Sequence, residues 1–451
     1  TWGGPMKHAF AGALHLGLHR RQGRFGGGRS TGLISIDLEK DKLGVEKPED
    51  FKWNQLLSFD ACVECGRCEK ACPAFAAGQP LNPKKIIQDM VVGMAGGNTA
   101  KFAGSTYPGV ELGSHKGGAV IPIVDVLLEA NTLWSCTTCR ACVQECPMMI
   151  EHVDAIVDMR RFETMEKGKT PGKGAEVLDN LNTTDNPNGH APNSRMNWAA
   201  DQNLAVFGSD VERADVLLWI GDAACDMRNQ RTLRVMITVL RAAKVDFAVL
   251  GESECDSGDL ARRLGDEVTF QRLAKINIAT MSQFEFKHIV TADPHAFHCL
   301  KNEYADFGGH YDVYHHTGFF ADLVKNDKIK LNTNNDISLT YHDPCYLGRY
   351  NGEYDAPRYL LEAMGINVKE MQRSQSKSRC CGGGGGAAVT DIPGKQRIPD
   401  MRMDDAKSTG AEIVAVACPG CSQMLEGVVE PRPQVKDIAE LMLDALSDEE
   451  A

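Results

Sequence analysis

Cys62-Val63-Glu64-Cys65-Gly66-Arg67-Cys68-Glu69-Lys70-Ala71-Cys72-Pro73 and Cys136-Thr137-Thr138-Cys139-Arg140-Ala141-Cys142-Val143-Gln144-Glu145-Cys146-Pro147 carry one spacing twice: C-x2-C-x2-C-x3-C-P. Three thiolates on one tight loop cap three irons of a cubane, and the fourth, displaced along a helix, reaches the neighbouring cluster. The spacing therefore predicts one 4Fe–4S cubane on Cys62, Cys65, Cys68 and Cys146. It predicts a second on Cys136, Cys139, Cys142 and Cys72. Zinc is the competing reading, since it also takes thiolates. Two intact runs, each closed by a proline, argue against it. A pair of such clusters conducts electrons, and nothing in the runs supplies an open iron position for catalysis.

Working outward, Cys62 and Cys136 lie 74 residues apart, far more than a compact ferredoxin needs. The intervening stretch reads as helical. Asn82 caps a helix over 82–95, Pro83 takes its first position, and Ile86, Ile87 and Met90 follow at helical spacing. Residues 96–120 are glycine-rich and read as a loop. Ile121–Ala130 and His152–Met165 read as further helices. The run resembles the α-helical ferredoxin domain in the iron–sulfur subunits of succinate dehydrogenase and heterodisulfide reductase.

Residues 166–204 are rich in Asn, Gly, Pro and Thr and read as a linker. Beyond them the pattern changes. Short β-rich runs at 215–220, 246–250, 288–291, 338–341 and 413–417 alternate with helical ones, which implies an α/β fold with parallel strands. This half repeats itself at an offset of 125 residues. Ile289–Pro294 superposes on Val414–Pro419, Leu300 on Leu425 and Cys255 on Cys380. Two copies of one domain follow, over 205–330 and 331–445.

The second copy carries Cys345, Cys380-Cys381-Gly382 and Cys418-Pro419-Gly420-Cys421. Five thiolates are one more than a cubane or tetrahedral zinc uses. Either one is a spare or the site has more than four protein-facing positions. Gly382 to Gly386 let backbone N–H groups approach sulfide closely. This pattern resembles the cysteine-rich "CCG" domain of heterodisulfide reductase and its relatives. The resemblance implies a non-cubane 4Fe–4S cluster on Cys345, Cys380, Cys381, Cys418 and Cys421. In the first copy Asp256, Asp293 and Ala296 stand at the positions of Cys381, Cys418 and Cys421, so Cys225 and Cys255 are too few to hold the same cluster. Cys299 is off-pattern and reads as a core residue. His295, His298, His315 and His316 read as packing and surface residues rather than a metal or proton-relay site.

The expected fold is thus an α-helical dicluster ferredoxin domain, 53–165, followed by an α/β pair of CCG repeats, the first degenerate and the second intact. Residues 1–52 read as an extended basic arm. Lys7, Arg20, Arg21, Arg24 and Arg29 have no acidic neighbour within the first 30 residues. Such a stretch fits either the cytoplasmic flank of a membrane span or a solvated arm. No run of apolar residues is long enough to cross a bilayer. A net charge of −12 argues against nucleic acid as a partner. Thirteen of sixteen cysteines fall in tight metal-ligand clusters, which suits a reducing compartment rather than a disulfide framework. No Gly-x-Gly-x-x-Gly follows a strand, so a flavin or nicotinamide belongs to a partner.

The domain order resembles the heterodisulfide reductase D-like superfamily. Within it, Gly4-Pro5-Met6-Lys7-His8-Ala9-Phe10, Ala61–Cys68 and Leu81-Asn82-Pro83-Lys84-Lys85 are similar to the dimethylglycine catabolism protein B group. That resemblance implies a membrane part ahead of the basic N-terminus, on the cytoplasmic side of the inner membrane. It also implies an electron-transfer subunit of a flavin-dependent N-demethylase. The flavoprotein would oxidise dimethylglycine or a related methylamine or betaine. This subunit would pass electrons between the flavoprotein and electron-transfer flavoprotein or quinone. Three other readings compete: a catalytic subunit like heterodisulfide reductase, the iron–sulfur subunit of a 2-hydroxyacid dehydrogenase, and a zinc-stabilised scaffold.

Overall fold

The computed structural model describes residues 6–18, 33–95, 120–333 and 337–446. The glycine-rich stretch expected as a loop, 96–120, lies outside them except for its last residue. The chain forms two compact units. The first takes in 1–174, Arg263–Glu267 and Gly384–Arg397; the second takes in the remainder.

The first unit is built from helices and turns, with no strand among its described residues. Asn82 caps helix Pro83–Ala95 as expected: its Oδ1 accepts from the N–H groups of Lys84 (3.0 Å) and Lys85 (3.1 Å). Ile86, Ile87 and Met90 are buried on one face of it. Helix His152–Arg161 runs on into a π-helical turn, Phe162–Glu166. Ile121–Ala130 is not a helix. It is a turn closed by a bridge between Val124 and Leu128, and the helix begins only at Ala130. Asp125 at φ 73° breaks any helical path there. The N-terminal part is not wholly extended either: Met6–Gly17 is helical. It packs on helix Trp53–Asp60, and His8 reaches the Asp60 carbonyl through Nδ1 at 2.8 Å.

The second unit contains two parallel sheets. Strands β1 (Val216–Trp219), β2 (Phe247–Ala248), β3 (His288–Thr291) and β4 (Val313–His315) lie in the order β2-β1-β3-β4. Strands β5 (Leu339–Tyr341), β6 (Ile413–Val416) and β7 (Gln434–Asp437) lie in the order β5-β6-β7. The sub-order β1-β3-β4 repeats as β5-β6-β7, and β3 and β6 are offset by the 125 residues seen in sequence. Residues of the central strands are buried almost throughout, as parallel sheets covered on both faces require. The edge strands β4 and β7 escape the sequence reading because β4 is only three residues long and Gln434, Lys436 and Asp437 of β7 are poor strand formers. The stretch read as a linker contains helix Gly174–Thr184. Its Val177, Leu178 and Leu181 are buried, an apolar face that the flanking Asn and Pro residues obscure.

Candidate metal centres

The two cysteine runs fold into loops of one shape. Glu64 (φ 53°) and Gly66 (φ 74°) adopt left-handed backbone in the first, and Thr138 (φ 49°) and Arg140 (φ 60°) do so at the matching positions of the second. Repeated left-handed residues curl a loop so that its N–H groups face inward, a nest for negative charge. The Thr138 N–H meets the Cys136 Sγ at 3.4 Å. Arginine is costly in this conformation. Arg140 is held there by a part-buried ion pair with Glu151, 3.0 Å.

Each loop leads into a five-residue helix, Arg67–Ala71 or Ala141–Glu145. Cys72 and Cys146 end those helices at ψ 121° and 116°. The following proline forbids helical backbone at the residue before it, so the fourth cysteine is turned away from its own loop. The structure brings Cys62, Cys65, Cys68 and Cys146 around one small cavity. Burial pushes the Cys68 thiol up to about 12, and the next largest contributions come from Cys146, Cys62 and Cys65. Burial likewise raises Cys72, and Cys139 and Cys136 raise it further. Cys142 is raised by burial and then by Cys136, Cys72 and Cys139. Buried thiols crowded this way hold thiolate charge only beside a cation, so the donor sets fit metal clusters.

Beside the second loop sits Arg160, fully buried. It donates to the carbonyls of Leu133, Cys136, Arg263 and Gly385. Gly385 packs so tightly on this loop that a Cβ there would lie 2.6 Å from the Cys136 carbonyl oxygen. Gly385, the fourth of the five glycines, thus serves close backbone approach within the first unit.

In the second copy of the cysteine-rich repeat all five cysteines are buried. Cys345 follows β5, and Cys418 follows β6, at the carboxyl ends of neighbouring parallel strands, where α/β folds bind ligands. Cys418 caps helix Pro419–Glu426, its Sγ accepting from the Cys421 N–H at 3.4 Å. The Sγ atoms of Cys421 and Cys381 are 3.3 Å apart, and Gly382 N–H donates to the Cys380 Sγ at 3.3 Å. Hydrogen bonds from Cys380 and Cys421 pull the Cys381 thiol well down, and the same contact drives Cys421 up. Loops are tied to this site by buried charge. Asp343 takes both guanidinium nitrogens of Arg358 (2.7 and 3.1 Å) and the Gln375 N–H (2.7 Å). Arg349 donates to the Ser378 carbonyl at 2.7 Å, two residues before Cys380.

The first copy has the same frame and a different lining. Asp293 caps helix Pro294–His298 as Cys418 caps its own. Asp222 and Asp256 hydrogen-bond to each other; burial raises both, and Asp222 is raised further by the charge of Asp256. Burial lifts Glu254 to about 7 against the pull of Arg195, which meets it at 3.3 Å. Burial raises Asp293 too, and pushes Cys255 up to about 12. Asn186 donates to the Cys225 Sγ at 3.4 Å. The cysteines that remain are thus set in carboxyl groups rather than thiols.

The four clustered histidines do not converge. His316 meets Asp437 (3.0 Å), His315 lies 3.1 Å from the Ala292 carbonyl, and His298 is buried against Tyr350. His295 pairs with Asp259 at 2.7 Å and stacks on Tyr346, the neighbour of Cys345, at 3.8 Å. Burial opposes its charge, but Asp259 and Asp293 raise it to about 10. Cys299 is fully buried, its Sγ 3.4 Å from Glu303. One histidine that the sequence reading passed over, His342, does reach the five-cysteine site. The signal was its place in His342-Asp343-Pro344-Cys345.

Comparison with known proteins places three family models on the chain. A "4Fe-4S dicluster domain" covers 58–150, a "Cysteine-rich domain" covers 217–301 and again 339–426, and a "Domain of unknown function (DUF3483)" covers 1–41. The chain is 63% identical to the "Probable membrane-anchored ferredoxin" of Chromohalobacter salexigens over 99% of its own length and 69% of that protein. It is 35% identical to the "EtfAB:quinone oxidoreductase" of Syntrophomonas wolfei, over 90% of this chain and 61% of that one. With the D-type subunit of "Dihydromethanophenazine:CoB--CoM heterodisulfide reductase" from Methanosarcina mazei it shares 32% identity, over 87% of this chain and 95% of the relative. No helix among the described residues is long and apolar enough to cross a membrane. The chain belongs to the heterodisulfide reductase D-like family of iron–sulfur oxidoreductases, which join a 4Fe–4S dicluster domain to paired cysteine-rich domains.

Proposed function

We propose that this chain is the iron–sulfur electron-transfer subunit of a membrane-linked flavoenzyme system, carrying electrons between a flavoprotein and electron-transfer flavoprotein or quinone. The observation that carries the proposal is the distribution of thiols: two quartets in the first unit and five in the second, all of them buried except Cys65. When bound, iron–sulfur clusters supply one-electron steps. The chain's own residues set their ligands, exclude water and aim N–H groups at sulfur. The proposed ligand sets are Cys62, Cys65, Cys68 and Cys146 for one cubane and Cys136, Cys139, Cys142 and Cys72 for the other. Cys345, Cys380, Cys381, Cys418 and Cys421 would hold a non-cubane cluster.

The name of the Syntrophomonas relative favours electron-transfer flavoprotein and quinone as the two ends. Membrane proximity is supported by the name of the Chromohalobacter relative. Helix Met6–Gly17 adds to it, since Phe10, Leu14 and Leu16 are exposed ahead of the basic Arg20 and Arg21. The N-demethylase assignment rests on the resemblance of Gly4–Phe10, Ala61–Cys68 and Leu81–Lys85 alone.

Anaerobic stopped-flow mixing tests the proposal. Reduced electron-transfer flavoprotein should bleach the cluster absorbance, and a soluble ubiquinone analogue should restore it. Bleaching by a dithiol, with none by the flavoprotein, would favour the heterodisulfide reductase-like reading. Co-purification then separates a dimethylglycine-oxidising partner from a 2-hydroxyacid dehydrogenase.

A further inference from the structure

His342 directly follows β5 and is buried, with 1% of its surface exposed. Its N–H donates to the Ala415 carbonyl of β6 at 2.9 Å, which fixes the ring's starting point at the carboxyl end of the sheet. One ring nitrogen of His342 and the Sγ atoms of Cys381 and Cys421 all lie within 4.8 Å of one another. No other such group of three potential metal-binding side chains occurs among the described residues.

The ring's other contact decides its chemistry. Arg402, fully buried on helix Ile398–Lys407, places Nε 2.9 Å from the His342 Nδ1. A guanidinium only donates, so Nδ1 accepts and carries no proton. Arg402 is itself anchored by the Arg373 carbonyl at 2.8 Å, so it is not free to turn away. The ring proton then resides on Nε2. That Nε2 is buried and has no hydrogen-bond partner among the described residues. A buried N–H without an acceptor is costly, and such a group marks a missing partner. Histidines that ligate metals show the reverse arrangement: the distal nitrogen donates to a carbonyl or carboxylate, leaving the other lone pair for the metal. Here ligation through Nε2 would leave both nitrogens bare.

We propose that His342 completes the five-cysteine site as an Nε2–H hydrogen-bond donor to cluster sulfur, thiolate or sulfide, with Arg402 as the positioning residue that fixes its tautomer. This rests on the reading that the five cysteines hold an iron–sulfur cluster. A donor to sulfur withdraws charge and favours the reduced state, so His342 raises the potential of this site without adding to its ligands.

The test uses the cluster-loaded chain under anaerobic conditions, with His342→Leu and His342→Gln. Iron per chain should stay at the wild-type value in both. In an EPR-monitored redox titration the third cluster of His342→Leu should shift to lower potential, and His342→Gln, which keeps an N–H, should fall between. Pulsed EPR with the clusters assembled in D2O should show a weakly coupled exchangeable deuteron that His342→Leu lacks, beyond those of the Gly382 and Cys421 N–H groups. Loss of iron in both variants, or the strong nitrogen coupling of a bound imidazole, would make His342 a ligand and overturn the donor role. A loaded site whose potential ignores His342→Leu overturns it as well. A Cys380→Ala/Cys381→Ala chain with wild-type iron would instead overturn the cluster reading beneath it.

Discussion

The guanidinium of Arg160 donates to the main-chain carbonyl of Cys136 at 2.8 Å, and the same group serves the carbonyls of Leu133, Arg263 and Gly385 while lying 5.0 Å over the ring of Trp134. A single buried cation thus ties three segments distant in sequence, 133–136, 263 and 385, around the second cysteine loop. Arg160→Gln leaves several of these buried carbonyls without a donor. Hydrogen bonds to charged groups are worth about 1.5–3 kcal/mol each, so a loss on the order of 3 kcal/mol is expected. The denaturation midpoint of the loaded chain should fall accordingly, with the signal of the second cubane lost before that of the first. A variant as stable as wild type would show that the guanidinium contributes little.

Crossed ligation makes Cys72→Ala informative. Its loop neighbours are Cys62, Cys65 and Cys68, but the thiols that raise its own are those of Cys139 and Cys136. The variant should lose the EPR signal of the cluster on Cys136, Cys139 and Cys142. Selective loss of the other cubane would refute the crossed assignment.

The two cysteine-rich copies should differ in iron. Three clusters correspond to about twelve irons per chain and two to about eight. Cys380→Ala with Cys381→Ala should bring the content down by about four irons, the size of one cluster. Cys225→Ala with Cys255→Ala should leave it unchanged, because Asp222, Asp256 and Asp293 line that site. Iron lost from the second pair would mean that the first copy is loaded too.

Glu254 gives the first copy a pH dependence. Burial holds its folded-state pKa near about 7, above the ordinary 4.5. An acid raised on folding contributes fully below its unfolded pKa, and that contribution is lost as pH rises through the folded value. Wild-type stability measured against Glu254→Gln should therefore decline between pH 4.5 and 7. Urea midpoints at acid and neutral pH read this directly. A constant gap between the two proteins would show that Glu254 does not titrate on folding.

Both cysteine runs, the helix capped by Asn82 and the repeat at 125 residues were legible in the sequence because each is a local rule. Loop shape follows from adjacent left-handed residues, the turn at Cys72 from Pro73, and the shared frame of the two copies from β3 and β6. Even the replacement of Cys418 by Asp293 was readable, since both side chains cap the following helix. Tertiary structure alone decided what depends on distant partners. The edge strands β4 and β7 carry polar residues and form only because a neighbouring strand offers its unpaired edge. Helix Gly174–Thr184 is hidden in a composition that reads as a linker, and its burial comes from the unit around it. His342 joins Cys381 and Cys421 across 39 and 79 residues of chain, and Arg402, 60 residues away, sets its proton. No periodicity records such meetings; the packing of β5 beside β6 and helix Ile398–Lys407 creates them.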